Sequence, residues 1–173
     1  MKITNLLTIQ GRNEWGPPPV LEARFELDES TAVPGSSGWI SPRIAALLDT
    51  TRTDFASEGS DPKTLVARVV GQLAMTFQRL SGSNGTFVAA RAIDDNTTLV
   101  ALDFQNESLA RASLEAALKL YEATRDDQPF PFAETLKELR VLANDNKTTK
   151  GVAAIFPSAP RKVERALPYA SSA

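Results

Sequence analysis

The stretch DPKTLVARVVGQLAMTFQRLSG, residues Asp61 to Gly82, decides how the rest of the chain has to fold. Asp61 is a good N-cap, Pro62 suits the first helical position, and Gly82 is the usual residue just past a helix end. Between them Val66, Val69, Val70, Leu73, Phe77 and Leu80 recur at helical spacing and fall on one face. Arg68, Gln72, Thr76 and Arg79 fall on the other side. The pattern predicts a central helix with its apolar stripe against a sheet.

The strands for that sheet lie on both sides of the helix in sequence. Val20 to Leu27 alternates strictly: Leu21, Ala23, Phe25 and Leu27 point one way, Glu22, Arg24 and Glu26 the other. Ile3 to Ile9 is a shorter apolar run rich in β-branched residues. GRNEWGPPP, Gly11 to Pro19, separates the two as a loop, because three consecutive prolines sustain neither a helix nor a ladder. The pair is therefore expected to be antiparallel. Behind the central helix, Phe87 to Ile93 and Thr97 to Phe104 read as a hairpin turning on Asp94-Asp95-Asn96. A short helix is expected over Ile40 to Leu48, between two polar loops.

Asn106 caps a third helix with Glu107 in its first turn, and Ala110, Leu114, Ala117, Leu118 and Tyr121 face inward. A fourth, Phe132 to Ala143, turns Leu136, Leu139 and Leu142 or Ala143 to one side. Past Lys147 the Pro, Ala, Ser and Arg content reads as a linker or tail. The expected class is α+β: an antiparallel sheet of about four strands packed by about four helices, forming one domain over residues 1–146 with a flexible tail at 147–173.

Composition removes several chemistries. The 173-residue chain has neither Cys nor His, so disulfides, thiolate metal sites and imidazole catalysis are all excluded. A net charge of −2 gives no electrostatic reason to expect nucleic acid or a membrane surface. No signal-peptide succession and no membrane-length apolar run is present, which points to a soluble cytoplasmic protein. A Gly-rich phosphate loop, a G-x-S-x-G and a nucleophile with a base beside it are all lacking, so catalysis by this chain and a cofactor are not expected.

Four blocks resemble the N-terminal domain of cyanophycin synthetases. GRNEW (Gly11 to Trp15) followed by PVLEARFEL (Pro19 to Leu27) is similar to that family's G-R-N-x-aromatic opening and its P-V-(L/I)-E-A strand. FQRLSG (Phe77 to Gly82) is similar to the LQxLAG that closes the family's central helix. DFQNESLARASLEAALKLYEA (Asp103 to Ala123) resembles the E-Y-x-x-E-x-x-G-x-x-A block, and PFPFAETLKELRVLA (Pro129 to Ala143) the segment leading towards an ATP-grasp domain. After the central helix, Phe87 and Arg91 match the ends of the family's F-G-x-T-R. In some members the helix also carries H-x-x-E-H, a metal site that trims the polymer. Those positions fall here on Arg68, Gly71 and Gln72, which supply no adequate zinc donor set.

The resemblance implies a non-catalytic domain that holds an aspartate–arginine polymer near ATP-dependent ligase sites. The family's ATP-grasp and Mur-ligase-like domains are not in this sequence, so it resembles either a free-standing relative or a piece cut at the linker, with an ATP-grasp/Mur-ligase-like synthetase as the implied protein partner; a docking module for a separately encoded ligase and a degenerate metal-dependent hydrolase are the alternatives. A polymer carrying carboxylates and guanidiniums requires a receptor of both signs. Candidate contacts are Arg12, Asn13 and Trp15 in the Pro-bounded loop, Arg24 on the wet strand face, Arg68 on the helix, and Arg91 in a strand otherwise of small apolar residues. Against them stand plainer readings: Trp15 as a plug for the core edge, Arg24 and Arg68 as solvated faces, Arg91 as an edge-strand charge. Asp94 and Asp95 read as a turn and no metal site is expected. The oligomeric state stays open.

Overall fold

A computed structural model describes residues 1–9, 18–26, 42–48 and 62–153. Its elements in order are β1 (Lys2–Ile9), β2 (Val20–Glu26), α1 (Pro42–Leu47), α2 (Pro62–Leu80), β3 (Val88–Ala92), β4 (Thr97–Asp103), α3 (Glu107–Arg125) and α4 (Phe132–Ala153). The four strands form one antiparallel sheet in the order β1-β2-β4-β3. The α+β class, the strand count and both antiparallel hairpins agree with the reading of the sequence. Asp61, the expected cap of α2, lies outside the described residues, as do the loops before it.

Alternation in β2 does what its pattern demands. Leu21, Ala23 and Phe25 are buried, and opposite them on β4 stand Leu102, Val100 and Thr98, which are buried too. The helices cover this face. α2 lies against β3 and β4, α3 packs on α2, and α4 lies on α3. Each large apolar side chain removed from water in this layer contributes about 1.5–3 kcal/mol before entropy is counted.

α2 can approach the sheet closely because of one glycine. A Cβ on Gly71 would stand 2.7 Å from Val88 Cγ2 and 2.9 Å from Val100 Cγ1. Glycine costs about 1 kcal/mol in a helix interior, and here that cost brings backbone against sheet. Squeezed between sheet and α3, α2 is buried well beyond its predicted stripe, with Ala67, Ala74, Met75 and Gln78 buried as well. Arg68, Gln72 and Thr76, expected on a solvated side, are half-buried.

Two details of the predicted stripe change. Leu80, expected inside, is 41% exposed, while Gln78 and Ser81 on either side of it are buried, so the covered face of the last turn has rotated away from Leu80. Phe77 is buried as expected, but its rings of contact are Phe130 and Phe132 at 6.3 and 5.5 Å, so it also joins α2 to the start of α4. The helix then closes as foreseen. Gly82 has φ +90°, and the amides of Gly82 and Ser83 donate to the carbonyls of Arg79 and Gln78.

At the N-terminus of α3, the Asn106 side chain accepts from the Leu109 amide at 3.1 Å and donates to the Leu142 carbonyl at 2.8 Å, joining α3 to α4. α4 buries Leu139 and Ala143 and half-buries Leu142. It continues to Ala153, ten residues past the expected end and across the expected domain boundary at 146. The rest of the predicted tail, 154–173, lies outside the described residues. No helix among the described residues is long and apolar enough to cross a membrane.

Candidate functional site

The helices cover one face of the sheet. The opposite face is built by the alternate residues of the same strands, and the register of the ladders sets them in rows. Arg24 on β2 pairs with Leu99 on β4, and Leu99 pairs with Arg91 on β3. The row is therefore arginine, leucine, arginine across three strands. Glu22 and Glu26 flank Arg24 along β2, two residues away on either side and on the same face. Towards one end of the face lie Leu7, Ile9 and Phe87, and at the other end Ile93, all exposed.

Leu99 is only 6% exposed although it faces away from the helices, and it stands apart from the main core cluster. Its directly opposed neighbours are the two arginines. Arginine stems cover apolar surface readily while their guanidinium heads stay in water. The register sets a buried leucine between two arginines.

The arginines whose side chains are described divide into two groups. Arg79 Nε donates to the Gly85 carbonyl at 3.1 Å, and Arg111 donates to Glu107 and Thr8. Arg125 holds Asp126, and Arg140 donates to the Leu80 carbonyl. Arg24, Arg68 and Arg91, by contrast, have no side-chain hydrogen bond or ion pair among the described residues, nor have Glu22 and Glu26. All three arginines are candidate contacts of the sequence reading. Arg24 and Arg91 are brought together on the open face. Arg68 is not: it stands on α2, on the helical side of the sheet. Arg12, Asn13 and Trp15 lie outside the described residues.

Other ionised groups serve the fold. Asp103, 4% exposed, accepts from the amides of Thr86 (2.9 Å) and Phe87 (2.9 Å) and from the Thr86 hydroxyl (2.8 Å), clamping the strap between α2 and β3. Gly85 in that strap leaves no room for a side chain, since a Cβ would meet Met75 Sδ at 2.5 Å. Gln78, fully buried, donates to the Asp103 carbonyl at 3.5 Å. Glu107 accepts from the Thr8 hydroxyl at 2.7 Å and from Arg111 Nε at 2.9 Å, which ties edge strand β1 to α3. Those two hydrogen bonds, Thr8's first, hold its carboxyl below the usual glutamate range. Asp94 accepts from the amides of Asn96 and Thr97, the turn the sequence predicts, and the Asn96 bond leads in lowering its carboxyl too. Lys63 of α2 donates to the Asp95 carbonyl and the Asn96 side chain, fixing that turn to the helix.

Among the described residues no group of three acidic side chains is placed to hold a metal ion. Sequence reasoning missed Leu99 and Asp103. The run TTLVALD, Thr97 to Asp103, is nearly continuous in apolar residues, and such a run marks a central strand without telling its two faces apart. No known family model matches the chain, and no curated protein is similar to it.

Proposed function

We propose that the chain is a non-catalytic module that holds an acidic–basic peptide polymer on the open face of its sheet, the role of the domain its motifs resemble. The observation that carries this reading is the pair Arg24 and Arg91, unpartnered among the described residues and set in one row with glutamates beside them. Guanidinium forks bind carboxylates bidentately, and the glutamates offer acceptors for the cationic groups of the same ligand. The chain would act in the cytoplasm beside an ATP-dependent ligase that extends the polymer.

The hydrolytic branch of the resemblance is set aside on physical grounds. A glutamate at position 71 would drive its Cβ into Val88 and Val100, and Arg68 and Gln72 beside it are poor donors for zinc. Metal analysis of protein purified without added metal is expected to find no stoichiometric zinc.

The direct test is sedimentation with insoluble aspartate–arginine polymer across a salt series. Wild-type protein should co-sediment at low salt and be released as the Debye length falls from about 10 Å at 0.1 M to about 3 Å at 1 M. Arg91→Ala and Arg24→Ala should reduce retention, and Lys at either position should restore part of it, since Lys keeps the charge and loses the fork. Wild-type protein left in the supernatant at low salt would discard the polymer reading. The second reading, docking onto a separately encoded ligase, is favoured by Leu7, Ile9, Phe87 and Ile93, large apolar side chains exposed on the same face. It would then take its place.

A further inference from the structure

We propose that the open face reads its ligand in a fixed register: an extended peptide lying along β2, with a basic, an acidic and a second basic residue at alternate positions over Glu22, Arg24 and Glu26. This rests on the peptide-binding function proposed above and adds the order of charges that the ligand must present.

The register follows from strand geometry. Glu22, Arg24 and Glu26 are alternate residues of one strand, so they share a face and repeat at roughly 6.6–6.8 Å. An extended peptide has the same repeat, so every second side chain of such a ligand can stay in step with them. The face displays minus, plus, minus along β2, and the complementary ligand is plus, minus, plus.

Arg91 makes the central position the strongest. It lies two strands away from Arg24 with only Leu99 between, a separation of about 9–10 Å at the backbone, which two arginine arms can close over one carboxylate. The acidic residue would receive two forks, each flanking basic residue one glutamate. Glu22, Arg24, Glu26 and Arg91 have no side-chain partner among the described residues, so no ion pair within that set must break first. Two neighbouring guanidiniums also repel, and a carboxylate between them relieves it.

The test is an NMR titration of the full chain at low salt with two peptides of equal composition, Gly-Lys-Ala-Asp-Ala-Lys-Gly and Gly-Lys-Ala-Lys-Ala-Asp-Gly, and with inorganic phosphate. The first peptide should bind about tenfold more tightly than the second, the effect of one charge-assisted contact, and should shift the amides of Arg24, Leu99 and Arg91. Arg91→Ala should weaken the first peptide and narrow the gap between them, while Glu22→Gln with Glu26→Gln should remove the advantage of the flanking lysines. Equal affinity for the two orders, shifts confined to other surfaces, or phosphate binding as tightly as the first peptide would overturn the register. Concentration-dependent self-association through the same amides would overturn it in favour of a second copy of the chain. Polymer that still co-sediments while the peptides show no order preference would end this inference and leave the proposed function standing.

Discussion

The two faces of this sheet are made by the same four strands and solve opposite problems. Under the helices, Leu21, Ala23 and Phe25 meet Leu102, Val100 and Thr98 with no charge between them. On the other face, one residue along in each strand, Arg24, Leu99 and Arg91 stand in a row with Glu22 and Glu26, and those charges find no partner among the described residues. Asp103 sharpens the contrast. It shares the strand parity of Leu99, yet at the end of β4 its carboxylate is surrounded by donors and belongs to the architecture, whereas Arg24, Arg91, Glu22 and Glu26 contribute little to architecture and are available to something else. Partnered and unpartnered charges thus serve different ends, and a substitution's effect should depend on which set it falls in.

The largest effect is expected on the covered side. Phe77→Ala removes the ring that joins α2 to Phe130 and Phe132 and should cost about 3–5 kcal/mol in denaturant unfolding. An unchanged midpoint would mean that α2 presents another side to the core. Next comes Asp103→Ala, which strands the donors of Thr86 and Phe87; loss of hydrogen bonds to a charged acceptor should cost about 2–3 kcal/mol. A loss no larger than that of a surface substitution would place Asp103 with the unpartnered charges instead.

Glu107 should show a smaller, pH-dependent effect. Its folded carboxyl lies below the ordinary value of 4.5, so its contribution is complete above that pH and is lost as pH falls through the lower folded value. Glu107→Gln should therefore lower the melting temperature at neutral pH and make the curve flatter than wild type on the acid side. Parallel curves would show that the tie to Thr8 and Arg111 contributes nothing through ionisation. The smallest effects belong to Arg24→Ala and Arg91→Ala, which should leave stability within about 0.5 kcal/mol while ligand retention falls. A large loss of stability from either would make it a cover for Leu99 first and a contact second.

Much of this was legible in the residues. The spacing of Val66 to Phe77, the strict alternation of β2, the cap at Asn106 and the turn at Asp94 each rest on local chemistry, and each is found in the structure. What a single segment cannot reveal is where its neighbours stop. Leu80 reads as core because it continues the apolar stripe, yet the last turn buries Gln78 and Ser81 and leaves Leu80 exposed. In the sequence Gly71 stands only for a missing zinc donor, and its packing role needs the valines of β3 and β4 against it. Arg91 drew notice from its small apolar setting, yet its relation to Arg24 needed the β2–β4 and β3–β4 registers, which join residues distant in sequence. Arg68, a candidate from the polar side of the helix, is placed on the other side of the sheet.

The strand order carries one more consequence, for folding rather than for binding. In β1-β2-β4-β3 the outer pairings are hairpins of near neighbours in the chain, while the central ladder joins β2 to β4 across α1 and α2. Local pairs close at small entropic cost, and the central ladder bears the largest loop-closure penalty, so it should set the folding rate. Before that ladder forms, Arg24 and Arg91 belong to separate pieces. A slip of one residue in it would turn Arg24 into the core and Phe25 into water, an error that the buried row of Leu21, Ala23 and Phe25 penalises at every step. The same apolar row that sets the pace of folding therefore also proofreads the alignment of the two arginines.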